Sequence, residues 1–128
     1  MKITLMSRYL LIAGSRSITD LNLVQSGVLK YLKSINLELK DFDGIISGNA
    51  RGVDTLAIRF ANNTGVQCII MPAQWDRFGK QAGYIRNKNM VALATHAIFF
   101  RQHGSPGTSN AIDLAVKKDI PFVVYDLN

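Results

Sequence analysis

The residues able to do chemistry gather in three short stretches, each closing an apolar run. The first is Gly14-Ser15-Arg16-Ser17, the second Gly48-Asn49-Ala50-Arg51-Gly52-Val53-Asp54, and the third His103-Gly104-Ser105-Pro106-Gly107-Thr108. Glycines let backbone N–H groups approach a ligand closely, and a loop that runs into a helix N-terminus presents those groups to an anion. Hydroxyls at Ser15, Ser17, Ser105 and Thr108 and guanidiniums at Arg16 and Arg51 add side-chain donors, so each stretch can hold a phosphate. Each alone also reads as an ordinary turn, Pro106-Gly107 above all. Three of them at one edge of one sheet make the stronger signal.

Arg86 and Asn87 open a helix predicted over Ala82 to Ala94. The helical period puts Arg86 on the side of Met90 and Leu93, facing the end of the sheet, where a guanidinium suits a phosphate or a ribose. Trp75 and Phe78, in the loop before it, can stack on a base or cover a core edge. Asp54, Asp76 and Asp113 are the acids near these loops, with helix capping or surface duty as the expected role; Asp54 also counts with its loop among the ligand-binding residues. His96 and His103 have no metal-ligand spacing to Cys, Asp or Glu, so no metal and no cofactor is assigned.

Positioning these loops requires a regular scaffold, and the chain alternates short β-type apolar runs with helical periodicity to its end. Strands are predicted at Tyr9 to Ala13, Gly44 to Ser47, Gln67 to Met71, Ala97 to Phe100 and Phe122 to Tyr125, most of them apolar on both faces, as a buried parallel sheet requires. Helices are predicted from about Asp20 to Ile35 behind a Thr19 or Asp20 cap, along the face Val53, Leu56, Ala57, Phe60 and Ala61, over Ala82 to Ala94, and from a cap at Thr108 onward with Ile112, Ala115 and Val116 inward. The fold class is α/β: one Rossmann-like three-layer sandwich over residues 1–128, with a mostly parallel five-stranded sheet in the order 3-2-1-4-5. That order reverses between strands 1 and 4, and ligands bind outside the carboxyl ends of strands at such a switch point.

Composition narrows the function classes. With 48% apolar and 19% charged residues, the 128-residue chain is expected to be a single soluble globule. No apolar run approaches the roughly 18 residues of a membrane span, and Arg8 interrupts what would have to be the apolar stretch of a signal peptide. A cytoplasmic location is expected. Cys68, the single cysteine, reads as a buried structural thiol. Fifteen Lys and Arg against nine Asp and Glu give a net charge of +6, which favours phosphates, nucleotides or nucleic acid. Between Ala73 and His103, five basic side chains face Asp76 alone.

Four motifs in order, IAGSR (Ile12 to Arg16), SGNARGVDTLA (Ser47 to Ala57), QWDRFGKQAGYIRNKNM (Gln74 to Met90) and GSPGTSNAI (Gly104 to Ile112), resemble the SLOG superfamily. That superfamily joins the DNA-processing DprA proteins with the Lonely Guy phosphoribohydrolases, and the likeness is to its YspA/YpsA-related branch. The resemblance implies a nucleotide-derived ligand held by Gly14, Ser15, Arg16, Gly48, Asn49, Arg51, Gly52, Asp54, Trp75, Arg86, Asn87, Gly104, Ser105, Gly107 and Thr108, and a homodimer or larger assembly. In Lonely Guy enzymes an RKxxM helix precedes PGGxGTxxE, whose arginine and glutamate cleave an N-glycosidic bond. Arg86 and Met90 match the first motif, making Arg86 the catalytic residue if the chain is a hydrolase, but Ala111 stands at the glutamate position. An oxocarbenium-like transition state wants a carboxylate there, so binding as a sensor or sequestering protein is favoured over turnover. Similarity of Ser47 to Asp54 and Arg86-Asn87 to DprA implies single-stranded nucleic acid as the alternative partner. A redox dinucleotide domain fits worse, lacking GxGxxG after strand 1 and an acid after strand 2.

Overall fold

The computed structural model describes residues 7–127. Of the segment weighed as a signal peptide, Met1 to Met6 lie outside the described residues. Five strands, β1 (Tyr9–Gly14), β2 (Gly44–Ser47), β3 (Cys68–Ile70), β4 (His96–Gln102) and β5 (Phe122–Leu127), form one parallel sheet ordered β3-β2-β1-β4-β5. Helices α1 (Leu21–Ser34) and α2 (Val53–Thr64) cover one face; α4 (Ala82–Leu93) and α5 (Pro106–Lys118) cover the other, after a one-turn helix α3 (Trp75–Phe78). The expected sheet order is the observed one.

Period-2 alternation in the central strands divides the core. Leu10, Ile12, Ile98 and Phe100 point to the α1/α2 side, while Leu11, Ala13, Ala97 and Phe99 point to the α4/α5 side. β1, β2 and β4 are buried on both faces, whereas β3 and β5, at the sheet edges, are only partly covered. Asp20 caps α1 as expected, its carboxylate accepting from the Asn22 and Leu23 N–H groups at 3.0 and 3.3 Å. Cys68 is partly rather than fully buried, and that burial pushes its thiol pKa up.

Several local expectations are corrected. α5 starts at Pro106, two residues before Thr108, because a proline's fixed φ suits the first helical position. Thr108 is therefore inside the first turn, and its hydroxyl donates to Ser105 Oγ at 3.2 Å instead of capping. Arg86 and Asn87 lie in the second turn of α4, not at its opening. Leu93 and Val116, expected inward, are exposed, and Ala111 takes the inward place beside Ala115. Among the described residues no helix is long and apolar enough to cross a membrane.

Candidate functional site

The crevice opens where the sheet order reverses, between the carboxyl ends of β1 and β4. Gly14 ends β1 there by necessity, since a Cβ would overlap the Phe100 carbonyl on β4 and lie 2.7 Å from Val53 Cγ2. The chain then turns through Ser15, whose N–H donates to the same Phe100 carbonyl at 2.9 Å. Ser15 is buried; its hydroxyl accepts from the Gln102 N–H at 2.8 Å, and the Ser17 hydroxyl donates to Gln102 Oε1 at 2.6 Å. These two hydroxyls join the first loop to the end of β4.

The second loop packs on the first. Gly52 adopts φ +77°, and a Cβ there would overlap the Ser15 carbonyl and stand 2.6 Å from Arg16 Cα. Only a residue without a side chain permits that approach at that φ. Beneath this loop Asp54 is buried, which corrects its expected capping or surface role: Oδ2 accepts from the Ala50 N–H at 3.2 Å and stands 4.0 Å from Arg86 Nη1. Burial pushes the Asp54 pKa up to about 6, against the pull of the Ala50 N–H and of Arg86 and Arg16. Arg86 is in turn pushed down by burial and, more weakly, by Arg16, while Asp54 opposes that shift.

Arg86 also ties the loops together. Its Nη1 donates to the Gly48 carbonyl and its Nε to Asn87 Oδ1 at 3.0 Å; Asn87 Nδ2 continues to the Gly107 carbonyl at 3.1 Å and to Asn110 Oδ1 at 3.0 Å. One arginine and one asparagine on α4 thus link the loop after β2 to the start of α5.

Two hollows result. An inner cleft of about 450 Å³ is lined by Gly14, Ser15, Arg16, Asp54, Arg86, Asn87, Ser105, Gly107 and Thr108 of the expected set. An outer hollow of about 360 Å³ is lined by Gly48, Asn49, Arg51 and Trp75, and shares Arg16, Ala50 and Arg86 with the inner one. Gly52 and Gly104 line neither. The expected ligand set leaves out Gln102, His103 and Met90, all of which line the inner cleft. The position of Gln102 at the carboxyl end of β4 is the signal that marks it. His96 lies at the opposite end of that strand, and Asp76 and Asp113 are exposed and line neither hollow.

The sequence profile of the YspA, cpYpsA-related SLOG family matches residues 9–78, more than half of the chain. The chain belongs to that family. The matched part of this SLOG chain holds the first two loops and Trp75, while Arg86 and the third loop lie beyond it. Gene 61 protein of Mycobacterium phage D29 is 32% identical over 124 residues, covering 92% of this chain and 96% of that protein. In structure the SLOG chain resembles DNA processing protein A (DprA) from Streptococcus pneumoniae, with a TM-score of 0.55 and 17% identity. That likeness, which is one of fold, covers 93% of this chain and 59% of the DprA chain.

Proposed function

We propose that the inner cleft, within one SLOG-like domain, binds a phosphorylated nucleoside or ADP-ribose-like molecule, which the protein senses or sequesters. The observation that carries this reading is the meeting of the first and third loops with Arg16 and Arg86 over one crevice at the switch point. The N-terminus of α5 supports it, because the first N–H groups of a helix have no partner within the helix and attract an anion. Gly14 and Gly107, without side chains, and the small Ser105 leave room for a phosphate, and Ala13, Met90 and Ala111 offer an apolar wall to a sugar or base. With a methyl at Ala111, binding is favoured over N-glycosidic hydrolysis.

Single-stranded nucleic acid is the second reading, favoured by exposed Arg51 and half-exposed Trp75 beside the cleft. The two readings separate on salt: contacts to several phosphates make affinity fall steeply as salt rises. The test is a thermal-shift panel of mononucleotides and ADP-ribose at millimolar concentration, on protein that mass spectrometry shows to be free of carried-over small molecules. A raised melting temperature is expected, since a ligand bound by the native state alone stabilises it by mass action. A panel without any shift overturns the reading. The expected homodimer or larger assembly is tested separately by sedimentation.

A further inference from the structure

The outer hollow is not explained by a ligand confined to the inner cleft. Trp75 is 50% exposed, and its ring edge is seated over α4, where a Cβ on Gly83 would lie 3.4 Å from Trp75 Cη2. The indole is thus positioned along one edge while half its surface stays open. Across the hollow, Asn49 adopts φ +59° in the turn that carries Arg51. Neither Arg51 nor Arg16 has a hydrogen bond or ion pair among the described residues, and the one acid paired with Arg86 is Asp54. Arg16 and Arg86 therefore line the seam of the two hollows and Arg51 the outer one, with Asp54 the single carboxyl group that lines either hollow. Such a cluster repels itself unless an anion lies along it, and arginine's fork matches phosphate oxygens two at a time.

Size points the same way. Each hollow, at about 450 and about 360 Å³, is by itself within the range of small-molecule sites, so a mononucleotide fills one and leaves the other. We propose that the ligand is of the dinucleotide type: two nucleosides joined by a pyrophosphate, one in the inner cleft, the pyrophosphate along the Arg16–Arg86 seam, and the base of the other stacked on Trp75 beside Arg51. This rests on the reading of the inner cleft given above.

Calorimetric titration of the full chain tests it, with AMP and GMP against diadenosine and diguanosine diphosphate, and with a ten-residue oligothymidylate as the nucleic-acid probe. At least one diphosphate is expected to bind about tenfold or more tightly than its monophosphate. Trp75→Ala is expected to weaken the diphosphate by about tenfold, within the range of base–aromatic stacking, and the monophosphate by less than about twofold. Arg51→Gln, at an exposed position, should show the same split. Equal affinity for the two ligand types overturns the inference, as does an equal loss for both on Trp75→Ala. Tighter, steeply salt-dependent binding of the oligothymidylate overturns it in favour of nucleic acid. If monophosphates bind and diphosphates gain nothing, this inference alone falls; if none of the nucleotides binds, the reading of the inner cleft falls with it.

Discussion

Asp54 Oδ2 and Arg86 Nη1 stand 4.0 Å apart beneath the seam of the two hollows, with only 6% and 11% of their side chains exposed. The separation is too long for a hydrogen bond, so attraction offsets little of the desolvation of the carboxylate. Burial therefore outweighs pairing, and the acid's pKa moves up to about 6.

That shift gives a pH dependence with a definite sign. The folded-state value lies above the ordinary 3.8, so the native chain holds a proton that the unfolded chain releases between the two values. The stabilising contribution is complete below about 3.8 and is lost as pH rises through about 6. It amounts to on the order of 3 kcal/mol. Chemical unfolding of wild type and Asp54→Asn from pH 4 to 7.5 checks this: the stability of wild type relative to the variant should fall across the window. A flat difference would place the acid's pKa in the usual carboxylate range.

Removing Arg86 should affect both binding and folding. Arg86→Ala should weaken nucleotide binding by about 1.5 to 3 kcal/mol, the scale of a charge-assisted hydrogen bond. It also deletes the ties to Gly48 and Asn87 and leaves their oxygens without that partner, so stability should drop by about 1 to 3 kcal/mol. Arg86→Lys keeps the charge without the fork and should recover only part of either loss. Calorimetric affinities and denaturation midpoints of both variants separate the two effects.

The glycines of the site should divide by what surrounds them. Gly52→Ala forces a Cβ into the Ser15 carbonyl at φ +77° and should destabilise by more than about 2 kcal/mol. Gly104 also has a positive φ, +63°, but nothing lies within 4 Å of a Cβ there, so Gly104→Ala should cost only about 1 kcal/mol. Comparable losses for the two would mean that the second loop does not pack on the first as described.

Ala111 lines the inner cleft with Met90, and the sequence resemblance matches it to the glutamate of the Lonely Guy hydrolases. If a positioned acid contributes about 10² to 10⁴ in rate, the wild-type chain should release base from a nucleoside monophosphate very slowly. Ala111→Glu should raise that release, measured by chromatography of free base and ribose 5-phosphate. Rapid turnover by wild type would instead direct attention to Asp54, the one acid among the described residues that line the cleft.

What was legible in the sequence is what depends on near neighbours along the chain. The strand and helix alternation, the Asp20 cap and the glycine-rich loops are written in periods and spacings of a few residues, and an unbroken β-α alternation leaves few topologies, so the sheet order was readable too. The contacts that make the site were not. Gly48 and Arg86 are 38 residues apart and Ser15 and Gln102 are 87 apart, and they meet only because parallel crossovers bring every strand's carboxyl end to one edge. Ser15 reads as a ligand hydroxyl in a linear motif, yet its oxygen is engaged by Gln102; Asp54 reads as a surface acid, yet α2 carries it under the loop beside Arg86. Local pattern states which groups a loop possesses, whereas their burial and partners are set by elements distant in sequence, and these decide a side chain's charge and the donors it has left for a ligand.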